Sequence, residues 1–347
     1  MQLENTTPFE AELTGGFESS GHECVIVAVK GTFVLPNERG EPCLMASEQQ
    51  PLSFADEFGE DPAFDCVRVE NDFAPFKPKC DVIVDAPAIA PDGAPVTQLP
   101  VGVRIGNWSK HFVALGSRIW LRGAAGFHVS EMRPFVRQAI DYDHAYGGTD
   151  PEPDRPDYAR TYETNPAGVG YYPLREDLEG LPVAQTMPAG GADPVSRDGG
   201  YPPLAFGPIG RAWLPRRTWV GTYDDAWLKH HMPFPPHDLD QRYFQATVPD
   251  QWIDFPQGGE PVEIVHLTPV ARVVTRLPQV SVVINFNRRS GRVTQKLANL
   301  DTVLVLGEAM QLCLTWRARL VTERDLFEVE SITISSRGEL PAVKEAA

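Results

Sequence analysis

Paired cysteines, phosphate-binding loops, long apolar runs and sustained helical periodicity are all missing from this sequence. The five cysteines (Cys24, Cys43, Cys66, Cys80 and Cys313) are odd in number, far apart and never arranged as Cys-x-x-Cys. That pattern argues against a disulfide framework or a zinc site and fits reduced thiols in a reducing compartment. No apolar run approaches the roughly 20 residues a bilayer-crossing helix needs. The opening MQLENTTPFEAEL lacks the basic-then-apolar order of a secretory signal. The expected location is therefore cytoplasmic, with no membrane partner. No Gly-x-Gly-x-x-Gly leads from a strand into a helix, and no Gly-Lys-Ser/Thr phosphate loop is present. A Gly-x-Ser-x-Gly elbow and a cysteine in a reactive context are also lacking. No cofactor is expected, and the common cofactor enzymes are set aside.

Basic charge is in short supply. Lysine and arginine number 31 against 47 aspartates and glutamates, a formal net charge of −16. Nucleic acid is a poor partner for such a chain, because neutralising phosphates needs a basic face. The acidic residues crowd the first part (Glu10, Glu12, Glu18, Glu23, then Asp56, Glu57, Glu60, Asp61 and Asp65). Arginines gather later, at Arg211, Arg216 and Arg217 and again at Arg288, Arg289 and Arg292. Such clusters read as solvated surface or as steering of a charged protein partner.

Glycine and proline are plentiful instead, 29 and 33 residues, spread without a repeat period. They suit short strands joined by many turns. A hydrophobic fraction of 42% supplies a sizeable core, and 347 residues fit either two domains or one large β-rich domain. Residues 22–35 read as one long strand or two around Gly31, and 81–90 as another, ended by the turn Pro91-Asp92-Gly93. A hairpin follows: 101–105 alternates apolar and non-apolar residues, Gly106-Asn107 begins the turn, and 110–121 returns. Residues 131–140 suggest a further strand, whereas 49–62 reads as loop. The last third offers strands at 262–267, 280–286, 302–306, 311–321 and 327–335, with 285–291 as a turn. In 311–321, Leu312, Leu314 and Trp316 share one face while Arg317 and Arg319 take the other. Only 224–228 suggests a helical turn. The middle, 151–210, is irregular but rich in tyrosine, so it is expected to be packed. The fold class is mainly β, with β-sandwich or barrel-like sheets, long irregular aromatic, proline- and glycine-rich loops and little helix. The expected organisation is an N-terminal segment over 1–21, one β-rich domain over 22–321, and a C-terminal strand and tail over 322–347.

One stretch stands out. Residues 201–252 hold Trp213, Trp219, Trp227 and Trp252, four of the 7 tryptophans, broken every few residues by proline or glycine. A rigid, looped, aromatic segment is either a core plug or a binding face. Arg216, Arg217, Trp219 and Trp227 are the partner-binding candidates, since interfaces favour tryptophan and arginine. Its acids and histidines (Asp224, Asp225, His230, His231, His237, Asp238, Asp240) resemble a metal site, but the spacing matches no ligand signature and prolines intervene. No metal or catalytic residue is assigned. The alternative reading is a carbohydrate-active enzyme or sugar-binding β-protein, with two carboxylates among Asp141, Asp143, Asp224, Asp225 and Asp240 beside tryptophan platforms.

Several motifs in order carry a family resemblance: DFAPFKPKCDVIV (72–84), VTQLPVGVRIGNWSKHFVALGSRIW (96–120), YDHAYGGTD (142–150), NPAGVGYY (165–172), FGPIGRAWLPR (206–216), GTYDDAWLKHHMPFPPHDLDQRYF (221–244), PDQW (249–252) and GGE (258–260). Together, over residues 20–320, they resemble domain of unknown function 2169, a bacterial family similar to adaptor or chaperone proteins of the type VI secretion system. The resemblance implies a non-catalytic protein that binds a toxic effector in the cytoplasm. It would help load that effector on the spike, a trimeric VgrG protein often tipped by a PAAR-repeat protein. It implies no catalytic residues.

Overall fold

The computed structural model describes residues 1–59, 65–152, 155–338 and 340–344. Three sheets and several two-stranded ribbons carry the chain. The largest sheet runs Trp252–Ile253, Cys80–Asp85, Asn299–Leu306, Gln311–Val321, Glu23–Val34 and Glu10–Phe17, with Leu44–Met45 also paired to Glu23–Val34. Among the described residues, the one parallel pair of strands in it is Cys80–Asp85 with Asn299–Leu306. A five-stranded antiparallel sheet runs Thr186–Pro188, Trp108–Leu115, Gln98–Ile105, Pro261–Val265, Arg272–Arg276. A four-stranded sheet runs Gln2–Asn5, Val329–Arg337, Ser281–Arg288, Val293–Leu297, its first pair parallel. The architecture is mainly β, and these sheets are open, not a closed barrel. Segment 1–21 contributes a strand to two of them. The one α-helix among the described residues is Asp225–His230, and none is long and apolar enough to cross a membrane.

One contiguous apolar core joins the inner faces of all three sheets, through Val27, Val303 and Trp316, Val101 and Ile264, and Ile284 and Ile332. Strands Glu23–Val34 and Gln311–Val321 are covered on both faces, which is why their apolar runs are nearly continuous. Leu312, Leu314 and Trp316 face the main core as expected. Arg317 on the opposite face is also buried, beneath the chain around Asp72. There Lys30, Asp72, Arg317 and Asp301 form a line of alternating charges. Burial raises the Asp301 pKa even with Arg317 beside it.

Several expected boundaries move. Strand 22–35 is one strand through Gly31. The hairpin's return stops at Leu115, and Trp120 belongs to a separate ribbon, Trp120–Gly123 with Gly126–Val129. Residues 81–90 divide into Cys80–Asp85 and Ala88–Ile89, and 131–140 keeps only Arg137–Gln138 as strand. In 49–62 the loop carries a short strand, Glu57–Phe58, while residues 60–62 lie outside the described residues. Residues 285–288, expected in a turn, extend Ser281–Arg288 instead, since Val293–Leu297 and Val329–Arg337 flank them with ladder partners. The strands Gln2–Asn5, Glu10–Phe17, Arg272–Arg276 and Val293–Leu297 had no clear signal: sheet-edge strands need little hydrophobic alternation.

The middle is held by tyrosine hydroxyls. Tyr146 donates to the Ser196 carbonyl at 2.7 Å and accepts from Gly199 N. Tyr162 donates to Tyr201 O at 2.8 Å, and Tyr172 to Pro182 O at 3.0 Å. The glycine pair after Tyr146 is dictated by close approach: a Cβ on Gly147 would fall 2.2 Å from Asn165 O. Asn165, fully buried, donates from Nδ2 to Tyr142 O and Tyr146 O across this contact.

Candidate functional site

Residues 201–252 wrap the end of the large sheet, and buried polar groups fasten them there. Asp81, with no exposure, is the hub. Its carboxylate accepts from Lys77 Nζ at 2.7 Å, Gln245 Nε2 at 2.9 Å, Ala246 N at 2.8 Å and Thr247 Oγ1 at 2.7 Å. Burial raises its pKa, but the Lys77 charge and these donors outweigh that and leave it below the ordinary carboxylate value. Gln251 donates to Val82 O and Phe206 O, and its own oxygen accepts from the buried Lys110 at 2.7 Å. Every one of these groups is satisfied, as buried polar atoms require. They come from the motifs FKPKCDVIV, WSKHF and QATVPDQW, so those motifs encode attachment of the loop to the sheet.

The acids and histidines of the stretch are turn-makers. Asp224 caps the helix, accepting from Trp227 N at 2.8 Å. Asp238 accepts from Thr222 N and Oγ1, which lowers its pKa, and Asp240 accepts from the Arg242 side chain and N, with the same result. Asp225 lies in the helix's first turn, where a negative charge suits the dipole. His231 Nε2 donates to Pro235 O at 2.7 Å, and its ring lies 4.0 Å from that of His237. His230 is in the last helical turn. Among the described residues, no three histidines, cysteines or carboxylates converge as metal ligands would.

Asp141 and Asp143 are joined to each other through Arg68, whose Nη1 and Nη2 reach one carboxylate each at 2.5 Å. Asp141 also holds His144 Nδ1 at 2.5 Å. Burial raises the Asp141 pKa, but His144 and Arg68 outweigh it and bring it to about 2; the same hydrogen bond raises that of His144. Cys66, whose N–H donates to Asp143, has its thiol pushed up to about 12 by burial and by the Asp143 charge. The cluster is an ion-paired clamp tying residues 66–68 to the turn at 141–144. Its carboxylates are engaged, and its cysteine stays protonated.

The four partner-binding candidates divide. Arg216 is fully buried, contrary to a surface role: it binds Glu70 Oε1 at 2.5 Å and donates to Tyr243 O and Ile209 O at 2.9 Å. The reason is local, since a buried Glu70 carboxylate needs a cation and Arg216 lies directly over it. Arg217 is exposed and pairs with Glu163. Trp219 is half-buried, between the Trp252 ring at 5.5 Å and the Arg242 guanidinium at 5.0 Å. Trp227 is half-buried as well, and its Nε1 donates to Phe234 O at 2.9 Å. Trp213 is core, edge-on to Tyr142 at 5.7 Å.

Around Trp227 the helix and its flanks leave apolar side chains in solvent. Tyr223, Leu228 and Met232 are exposed by 53%, 54% and 56%. The Tyr223 ring sits 4.6 Å from that of Trp227. Reasoning from the sequence weighs tryptophan and arginine and passes over these three. The spacing of Leu228 and Met232, four apart at the end of a helix, is the only sign they offer.

In comparisons with known proteins, residues 20–317 match the model of a bacterial family described as an uncharacterized protein conserved in bacteria, DUF2169. The chain belongs to this family. No curated protein and no solved structure matches it. The family region contains both the buried fastenings of residues 201–252 and the exposed helix they present. Strands Gln2–Asn5, Glu10–Phe17 and Val329–Arg337 lie outside the match yet complete two of the sheets.

Proposed function

We propose that this protein is a cytoplasmic adaptor or chaperone that binds a type VI secretion effector and helps load it on the VgrG and PAAR spike, by binding and without turnover. The observation that carries the reading is the exposed apolar group Tyr223, Leu228 and Met232 beside Trp227. It stands on a loop whose polar residues are spent on caps and fastenings. Exposed aromatics on a rigid support are what protein interfaces use as anchors. The resemblance of its ordered sequence motifs to secretion adaptors is what suggests an effector as the partner.

The test is recovery of partners with the tagged protein from its host, identified by mass spectrometry, compared with Tyr223→Ala and Leu228→Ala variants. Because both side chains are more than half exposed, unfolding stability is expected to change by less than about 0.5 kcal/mol. Effector affinity is expected to fall by about 2 kcal/mol, on the order of thirtyfold. Unchanged recovery of a secretion effector by both variants would move the interface elsewhere. A folded Asp224→Ala variant that binds its effector fully but no longer supports delivery would overturn the reading of a protein without turnover.

A further inference from the structure

We propose that the outer edge of strand Glu10–Phe17 is an augmentation site for an extended, basic segment of a partner protein. This strand ends the large sheet. It pairs along its whole length with Glu23–Val34, from Glu10 opposite Lys30 to Phe17 opposite Glu23. Among the described residues no strand pairs with its other side. None of its eight residues is buried, whereas ten of the twelve in its neighbour are. An antiparallel edge directs every second N–H and C=O outward, ready for another strand.

The other edges are less available. Arg272–Arg276 is covered by the chain before it, Gly40 N donating to Val274 O and Thr275 Oγ1 to Glu41 O. Gln2–Asn5, Thr186–Pro188 and Trp252–Ile253 have four residues or fewer, and Val293–Leu297 has five.

Charge selects the occupant. Glu10 and Glu12 lie on one face, both exposed, and neither forms an ion pair with a described residue. Lys30 and Arg319, on the two strands inward of this edge, are already committed. Lys30, opposite Glu10, binds Asp72 and Pro51 O, and Arg319 binds Glu18 at 2.9 Å. A second copy of this strand would bring more glutamates to the same edge and be repelled. A strand with lysine or arginine at alternate positions gains two cross-strand pairs. At the far end Phe17 is 44% exposed, its ring edge-on to Phe234 at 5.4 Å. An apolar residue arriving there meets an aromatic seat continuous with the loop that carries Trp227.

The experiment uses the full-length protein and a fluorescein-labelled peptide, Leu-Thr-Thr-Thr-Val-Lys-Val-Lys, laid antiparallel so that its lysines meet Glu12 and Glu10. Its counterpart carries glutamate for both lysines. Two further versions are N-methylated at every second residue, one in each phase. Fluorescence anisotropy at low salt is expected to show the lysine peptide binding at least about tenfold tighter than the glutamate peptide. The double variant Glu10→Lys, Glu12→Lys should invert that preference while unfolding as the parent does. Methylation in one phase should abolish binding and in the other preserve it, since a paired strand uses alternate N–H groups. Equal binding of the two charge forms, or binding that survives methylation in both phases, would overturn the proposal. So would sedimentation showing that the edge is occupied by a second copy. Because the probe is synthetic, its failure leaves the adaptor reading standing, and loss of effector from a pull-down leaves the edge standing.

Discussion

Arg216 carries a full charge without exposure to solvent, and its partners explain how. Glu70 supplies the counter-charge, the Tyr243 and Ile209 carbonyls accept from Nε and Nη1, and the Tyr243 ring lies 5.7 Å from the guanidinium carbon. Removing one member of a buried pair leaves the other charge uncompensated, typically at a cost of 3–5 kcal/mol. Glu70 retains Arg211 at 3.2 Å, so Arg216→Ala is expected to lower unfolding stability by about 3 kcal/mol, at the lower end. Urea denaturation measures it. Wild-type stability together with lost partner binding would return Arg216 to the surface role its sequence context suggests. Arginine density alone cannot separate a buried brace from an interface anchor, because both use the same planar fork of donors.

At the scale of the element, the helix Asp225–His230 is short and buries none of its residues fully. A helix of six residues has little stability of its own. It is held by the Asp224 cap at one end and by Trp227 Nε1 on Phe234 O beyond the other. Asp224→Ala is expected to cost about 1 kcal/mol, felt locally. Amide hydrogen exchange at Trp227 should quicken, while exchange in Gln311–Val321 stays as it was. Equal acceleration in both places would mean that the helix is coupled to the core. The helical turn at 224–228 was legible in the sequence; the capping role of Asp224 and the direction in which Leu228 and Met232 point were not. A hexamer's exposed face depends on which side its supporting loop occupies.

At the scale of the whole molecule, the looped middle behaves as part of the body. Its tyrosines hydrogen-bond across it, Tyr146 ring-stacks edge-on with Tyr162 and Tyr201, and Asn165 ties its glycines to the turn at 142–146. Limited proteolysis of the native protein is therefore expected to spare residues 155–210. Mass spectrometry of the fragments checks this, and rapid cutting throughout that stretch, leaving two stable halves, would contradict the packing described. The long connections also explain why the sheets assemble late in sequence terms. Gln2–Asn5 pairs with Val329–Arg337 and Cys80–Asp85 with Asn299–Leu306, so the sheets join chain segments more than 200 residues apart.

The sequence by itself determined the β class, the strand Gln311–Val321, the first half of the hairpin and the packed character of the middle. Each rests on local signals: alternation, turn chemistry and aromatic content over a few neighbouring residues. Tertiary structure alone decided the fate of the charges. Asp81, read only as the start of a strand, and Arg216, read as a partner-binding candidate, are both buried, each satisfied in part by partners more than 20 residues away. Asp224, Asp238 and Asp240 look like chemistry; Asp224 and Asp240 prove to be caps, and Asp238 holds Thr222. In both cases a polar side chain's role is set by its hydrogen-bond partners: the caps find theirs two or three residues away once the chain turns, whereas Asp81 and Arg216 draw on segments brought together only when distant strands have paired.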